Sequence, residues 1–298
     1  MTDAAEVLTI DLPHLRVSAL AWGPPDGRLA LCLHGYPDTA WTWRHFGPAL
    51  AAKGFRVVAP FSRGYAPTAI PADGDYHIGA LMYDAIALHR ELGGGSDAAV
   101  IGHDWGGMTA SALAAHADSP FTKSVTMGVP FLPGFGKQVA GRILRRMPRQ
   151  ARMSWYVVYQ QLPGLSDRTL GRVIPRLWRD WCPPGYQAGG DLARLWDALP
   201  DLAHRTAAVS YYRHQARPGK PAPEYRALHE GWDSGLPRIP VLLLHGELDG
   251  AIDVRLATIS AEALPAGSHH EVIPAAGHFM HLDRPDLVTA TIERYLSA

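Results

Sequence analysis

The residues whose types and spacing could do chemistry centre on Gly102-His103-Asp104-Trp105-Gly106. An apolar run, Ala98 to Ile101, precedes this segment, and a small-residue stretch, Met108 to Ala115, follows it. Strand, sharp turn and helix are the setting of a nucleophile elbow, in which a Gly-x-Ser-x-Gly segment lifts one side chain above a parallel sheet. The flanking glycines permit the strained backbone and the tight helix–strand approach. Here the central residue is an aspartate. A serine implies acyl transfer. An aspartate implies attack on a saturated carbon, leaving an alkyl ester on the enzyme that water must cleave. The expected substrate thereby shifts from esters to epoxides or alkyl halides.

Two further pieces follow in the chain order nucleophile, acid, histidine. Asp249 stands in His245-Gly246-Glu247-Leu248-Asp249, after the apolar run Val241 to Leu244, and His278 stands in Ala276-Gly277-His278-Phe279, after His270 to Ile273. An ionised Asp104 attacks carbon unaided, whereas cleavage of the ester needs a neutral imidazole as base. Asp249 would orient His278 and stabilise its charged form. Asp253 directly precedes a helical pattern and suits an N-cap instead. The ester passes through a tetrahedral oxyanion, so backbone donors are needed. The amides of Tyr36, in His34-Gly35-Tyr36-Pro37, and of Trp105 are the candidates. Pro37 stiffens that turn. His269, His270 and His281 read as structural or surface residues, the spacing of His278 and His281 lacks an accompanying metal motif, and no metal or cofactor is expected.

These residues need elements that end at one edge. Val7–Ile10 and Leu15–Trp22 read as paired strands. Leu29–Leu33, Arg56–Ala59, Ala98–Ile101, Ser124–Met127, Val241–Leu244 and His270–Ile273 read as strands buried on both faces. Helical patterns at Trp43–Ala52, Ile78–Leu92, Met108–Ala117, Asp253–Leu264 and Asp286–Leu296 alternate with them. The expected class is therefore α/β, a mostly parallel sheet flanked by helices. The alternation breaks between residues 130 and 239. That stretch reads as a helical cap inserted into a core of residues 1–129 and 240–298, with helices at Arg152–Gln161 and Leu202–Ala216. Its basic run from Lys137 to Arg152 contains no acid and reads as a solvated face.

Composition narrows the classes further. The chain has 298 residues, 47 % of them hydrophobic, so it can build a sizeable core. Lys plus Arg equals Asp plus Glu, 28 each, which argues against nucleic acid as a partner. Cys32 lies in an apolar strand, and with only Cys182 besides no disulfide framework arises. The first residues show no signal peptide, and no apolar run is long enough to span a membrane; the expectation is a cytoplasmic protein. Monomer and homodimer stay equally open.

The motifs around His34, Asp104, Asp249 and His278 resemble the epoxide hydrolase and haloalkane dehalogenase branch of the α/β-hydrolase superfamily. That resemblance implies an α/β-hydrolase fold with a cap. For an epoxide hydrolase it also implies two cap tyrosines that protonate the opening ring oxygen. Tyr156 matches the first position, with Tyr159 one turn away, and Tyr212 matches the second, with Tyr211 as the alternative. The implied reaction converts a small epoxide and water into a vicinal diol. His34, Pro37, Trp105, Phe131, Trp155 and Tyr211 are expected to line the substrate pocket, and further aromatic residues (Phe135, Trp178, Trp181) suggest an apolar, medium-sized substrate. A dehalogenase is the alternative, with Trp105 and one of Trp155, Trp178 or Trp181 holding the halide. A non-catalytic binder on the same fold is a third reading. One departure stands out: the family carries an acid before Arg63-Gly64, where this chain has Phe61 and Ser62.

Overall fold

The structure, a computed structural model, describes residues 5–131, 148–216, 219–232 and 235–297. Eight strands form one sheet: β1 (Glu6–Leu12), β2 (Leu15–Trp22), β3 (Arg28–Leu33), β4 (Phe55–Pro60), β5 (Ala99–His103), β6 (Lys123–Met127), β7 (Val241–Gly246) and β8 (His269–Ile273). Their spatial order is β1-β2-β4-β3-β5-β6-β7-β8. Only β2 runs against its neighbours; every pairing from β4 to β8 is parallel. Burial follows position. Every residue of central β5 and β7 is buried, as strands covered on both faces require. Edge strand β1 exposes Glu6, Val7, Thr9 and Asp11 and buries Ile10 and Leu12.

The described helices are α1 (Phe46–Ala51), α2 (Ile78–Glu91), α3 (Trp105–Ala115), α4 (Pro148–Met153), α5 (Trp155–Tyr159), α6 (Leu165–Trp181), α7 (Gly189–Ala198), α8 (Leu202–Ala216), α9 (Arg226–Glu230), α10 (Val254–Ala261), α11 (Met280–Asp283) and α12 (Pro285–Ser297). In the core, α2 packs on α3, and α1 on α12. Helices α4 to α9 all lie between β6 and β7 in sequence, so the expected insertion is helical where it is described. No described helix is long and apolar enough to cross a membrane.

The longest described helix of the insertion, α6, is not among the expected elements. It has 17 residues with Pro175 inside it. An interior proline removes a backbone donor and usually ends a helix. Packing overrides that signal here: Leu170, Val173, Ile174, Leu177, Trp178 and Trp181 recur on one buried face. The expected helix at Arg152–Gln161 is instead two short helices, α4 and α5.

Candidate active site

Four loops leave the carboxyl ends of β3, β5, β7 and β8 and converge, as ligand sites of open parallel sheets do. Asp104 sits between β5 and α3 with φ 52° and ψ −117°. A positive φ is costly for a residue with a Cβ, so the surroundings must hold it. The close approach behind it depends on Gly106, where an added Cβ would lie 2.1 Å from the Leu33 carbonyl oxygen. Asp104 N donates to Met127 O at 3.0 Å, and Met108 N donates to Asp104 O at 2.8 Å. The elbow is thus tied to β6 on one side and to α3 on the other.

The Asp104 carboxylate faces two groups. Its Oδ1 accepts the Tyr36 amide at 2.7 Å, and its Oδ2 lies 3.5 Å from His278 Nε2. His278 Nδ1 is 2.9 Å from Asp249 Oδ2. The other Asp249 oxygen accepts the amides of Ala251 (2.7 Å) and Ile252 (2.9 Å). His245 Nε2 approaches Asp249 Oδ2 to 3.1 Å. Asp253 does something different: its Oδ1 caps α10 by accepting the Arg255 amide.

All three members of this chain are buried. Burial alone would lower the His278 pKa, but Asp249 and Asp104 outweigh it and push it up to about 10. For Asp249, burial opposes ionisation, yet His278 and His245 hold the carboxyl well below its ordinary range. Asp104 is likewise lowered against the effect of burial by the hydrogen bond and charge of His278. The resting arrangement is two carboxylates flanking one imidazolium.

The insertion brings aromatic rings over this edge. The Tyr156 and Tyr212 rings meet edge to face at 5.6 Å. Tyr212 also packs edge to face on Tyr36 and on Trp105, each at 5.1 Å. Tyr156 leans on Trp181 at 4.9 Å, and Trp181 leans on His278 at 5.0 Å. Tyr212 Oη and Trp105 Nε1 are buried, and neither meets hydrogen-bond geometry with any described residue. Burial, with the nearby Asp104 charge, raises the pKa of both tyrosines, so each keeps its proton. The alternative hydroxyls are engaged elsewhere. Tyr211 Oη donates to Arg63 O at 2.8 Å, and Tyr159 Oη pairs with Thr169 Oγ1 at 2.6 Å.

Several expected pocket residues have other duties. His34 binds backbone with both ring nitrogens, Nδ1 to Gly35 O and Nε2 from Ser62 N, each at 2.9 Å. Burial lowers its pKa to about 4, so it is a neutral brace rather than a ligand contact. Pro37 follows a cis peptide bond, and its carbonyl accepts Trp178 Nε1 at 3.0 Å. That bond removes Trp178 as a halide donor, and its ring stacks on Phe279 at 3.9 Å. Phe131 is corrected: it packs with Ala114 and Val241 in a separate small cluster. The Trp155 ring lies under the Arg176 guanidinium, 4.7 Å away, and beside Tyr159. Phe135 falls outside the described residues, as does the basic run as far as residue 147.

Other residues of the site escaped sequence reasoning. Gln160, one turn beyond Tyr156, donates from Nε2 to Tyr36 Oη at 2.7 Å. Arg213, next to Tyr212, pairs with Asp167 and donates to Gln160 O at 3.0 Å, which locks α8 to the start of α6. His103 donates from Nε2 to His278 O at 2.9 Å and so braces the histidine loop. Its place in the elbow was the one available signal. The C-terminal end of α6 presses on the same loop: His278 N donates to Trp181 O at 2.9 Å, and a Cβ on Gly277 would lie 2.2 Å from that oxygen. The missing loop acid also has a replacement. Asp84 on α2 binds Arg63 through both carboxylate oxygens, at 2.6 and 2.7 Å.

Comparison with known proteins agrees with this geometry. A sequence model described as alpha/beta hydrolase fold matches residues 31–166. Epoxide hydrolase A of Mycobacterium tuberculosis is 29 % identical over 97 % of this chain and 96 % of its own length. Among solved structures, an epoxide hydrolase from an endophytic Streptomyces superposes with a TM-score of 0.74 at 26 % identity, covering 99 % of this chain and 96 % of that one. Epoxide hydrolase A of Mycobacterium thermoresistibile shares the fold, with a TM-score of 0.79 at 21 % identity and 99 % coverage of both chains. Along nearly its whole length the chain is thus similar to proteins named epoxide hydrolases, and it has the α/β-hydrolase fold.

Proposed function

We propose that this protein is an epoxide hydrolase that opens a small epoxide to a vicinal diol through an ester on Asp104. The observation that carries the reading is the pair of hydroxyls of Tyr156 and Tyr212, buried side by side and kept protonated on the insertion side of the elbow. An alkoxide is a poor leaving group, so ring opening needs a proton donor at the oxygen. Residues 130–239 would be the cap that supplies it, and residues 1–129 and 240–298 the core.

In the first half-reaction Asp104 Oδ2 bonds to an epoxide carbon. The C–O bond breaks, and the oxygen takes a proton from Tyr156 or Tyr212. Alkylation removes the Asp104 charge. His278 then loses one of the two carboxylates that hold its proton, and its pKa falls toward the range of a working base. The proton leaves to restore the tyrosine. In the second half-reaction His278, oriented by Asp249, takes a proton from water, and the hydroxide adds to Asp104 Cγ. The oxyanion forms on Oδ1, where the Tyr36 amide already donates and the Trp105 amide is the second candidate. Collapse expels the diol alkoxide, which His278 protonates.

The reaction uses water and no cofactor, and a cytoplasmic location suits it. A dehalogenase reading keeps one specific support, the Trp105 Nε1 buried beside Tyr212. The test is an assay of epoxides and 1-haloalkanes side by side. Diol without halide release is expected; halide release would move the reading to the dehalogenase. Single turnover in heavy-oxygen water checks the ester: the first diol should carry unlabelled oxygen from Asp104, and a labelled first diol would exclude that route.

A further inference from the structure

The aromatic residues of the site suggest an apolar substrate, yet one amide side chain stands among them. Gln160 follows α5 with helical backbone, φ −63° and ψ −17°, and its N donates to Tyr156 O at 2.8 Å. Four residues further along one spiral, its side chain leaves the same face as that of Tyr156. It is fully buried. The Gln160 main-chain carbonyl accepts Arg213 Nε at 3.0 Å and Ser166 Oγ at 3.4 Å, and the side-chain Nε2 donates to Tyr36 Oη at 2.7 Å. Tyr36 spans from this amide to the nucleophile. Its backbone N donates to Asp104 Oδ1 at 2.7 Å, and its ring meets the Tyr212 ring edge to face. Gln160 therefore stands one tyrosine side chain away from Asp104, on the side of the two cap tyrosines.

The other end of the amide is idle. Gln160 Oε1 is buried and meets hydrogen-bond geometry with no described residue. A buried acceptor without a donor is costly unless a ligand or solvent supplies one. The amide also narrows the chemistry of that ligand. With Nε2 on Tyr36 Oη it presents an acceptor. A half-turn about its last bond puts Oε1 on the Tyr36 hydroxyl and presents a donor instead. A hydroxyl group donates and accepts, so it pairs with either arrangement. A carbonyl or ether oxygen pairs with only one of them, and an alkyl chain with neither.

Resting on the epoxide hydrolase reading, we propose that the substrate is an epoxide carrying a hydroxyl group a few carbons from the ring, and that the free end of the Gln160 amide binds this hydroxyl while Asp104 attacks the ring. Gln160 is then a specificity-determining residue. It touches the substrate away from the reacting atoms, and its hydrogen bond is the same before and during ring opening. Such a contact selects which epoxide is taken and leaves the bond-breaking step alone, so it is read in KM more than in kcat.

The probes are glycidol and its next two homologues, each paired with the alkyl epoxide in which methyl replaces the hydroxyl. In the parent at least one pair should show kcat/KM about 10-fold higher for the alcohol, mainly through KM. Gln160→Met keeps the reach of the side chain and removes its polar end, and it should abolish that preference. Any loosening of Tyr36 in the variant slows both members of a pair and cancels from their ratio. Equal kcat/KM within every pair of the parent, or a preference that survives Gln160→Met, would overturn the proposal and leave the epoxide hydrolase reading standing. No diol from any member would sink that reading and this proposal with it. Should Gln160→Met not fold, a structure of the parent with the triol product of the preferred alcohol decides. A product hydroxyl hydrogen-bonded to the Gln160 amide supports the proposal, and an amide met only by water overturns it.

Discussion

The sheet edge and the helical insertion treat their polar groups in opposite ways. At the edge the proposed triad is held by its carboxylates and backbone, while His278 Nε2 only approaches Asp104 Oδ2 at 3.5 Å. Asp249 uses both oxygens, His278 is gripped through its ring and its backbone, and Asp104 is fixed in a strained conformation. On the insertion side the Tyr212 hydroxyl is met only by the side chains of Tyr156 and Trp105 beside it. The difference follows from the chemistry asked of each side. Charge that must be present before the reaction starts needs prior orientation, because reorganising it would add to the barrier. A proton donor for a leaving oxygen can find its partner when the substrate arrives.

Breaking the edge should cost most. In His278→Ala the ester should form and persist, with turnover down by ~10²–10⁴ or more. Mass spectrometry should find the added substrate mass on the peptide bearing Asp104, and normal turnover or an adduct elsewhere would defeat the assignment. Asp249→Asn should slow the hydrolytic half-reaction by up to ~10⁴ and spare alkylation, whereas Asp253→Asn should cost about 1 kcal/mol or less of stability as a weakened cap. Stopped-flow separation of the two half-reactions, with urea melts, distinguishes them.

Changes on the insertion side should touch the other half-reaction. Tyr156→Phe with Tyr212→Phe should slow alkylation by ~10²–10⁴, with the triad intact. Tyr211→Phe sharpens the contrast. Its hydroxyl serves the Arg63 carbonyl, so the expected loss is about 1 kcal/mol of stability with alkylation nearly unchanged. A Tyr211→Phe effect on rate equal to that of Tyr212→Phe would erase the distinction drawn between them.

A further effect concerns pH. Against burial, Asp249 and Asp104 push the His278 pKa up to about 10 from its ordinary 6.5. Its contribution to stability is therefore fully present below 6.5 and is lost as pH rises through about 10. Urea midpoints should fall across that window in the parent and fall less in His278→Ala.

How much of this was legible in the chain depends on range. All eight strands could be read, because buried strands are local apolar runs, and the three proposed triad residues sit just past strands β5, β7 and β8. The choice of Asp249 over Asp253 rested on helix-cap chemistry, which is local too. What could not be read depends on where the chain turns. Phe131 lies only a few residues past β6, yet nothing local says that it packs on Ala114 and Val241. Helix α6 was hidden because Pro175 is a strong local stop signal and the packing that overrides it comes from distant elements. Choosing between Tyr211 and Tyr212 required knowing that the Arg63 carbonyl lies within reach of one of them.

The grip of α6 on the histidine loop bears on traffic through the site. The end of α6 is fastened there by backbone, through His278 N and the close pass at Gly277. The side carrying the tyrosines is fastened through side chains, Gln160 to Tyr36 and Tyr211 to Arg63. Swinging the first side away would unseat the general base. Parting the second breaks only contacts that re-form on closing. On the proposed mechanism, opening for substrate and product is therefore expected on the tyrosine side, with His278 staying seated. Native-state hydrogen exchange should show this as a gradient, with the His278 amide among the slowest to exchange and the amides of α5 and α8 opening first.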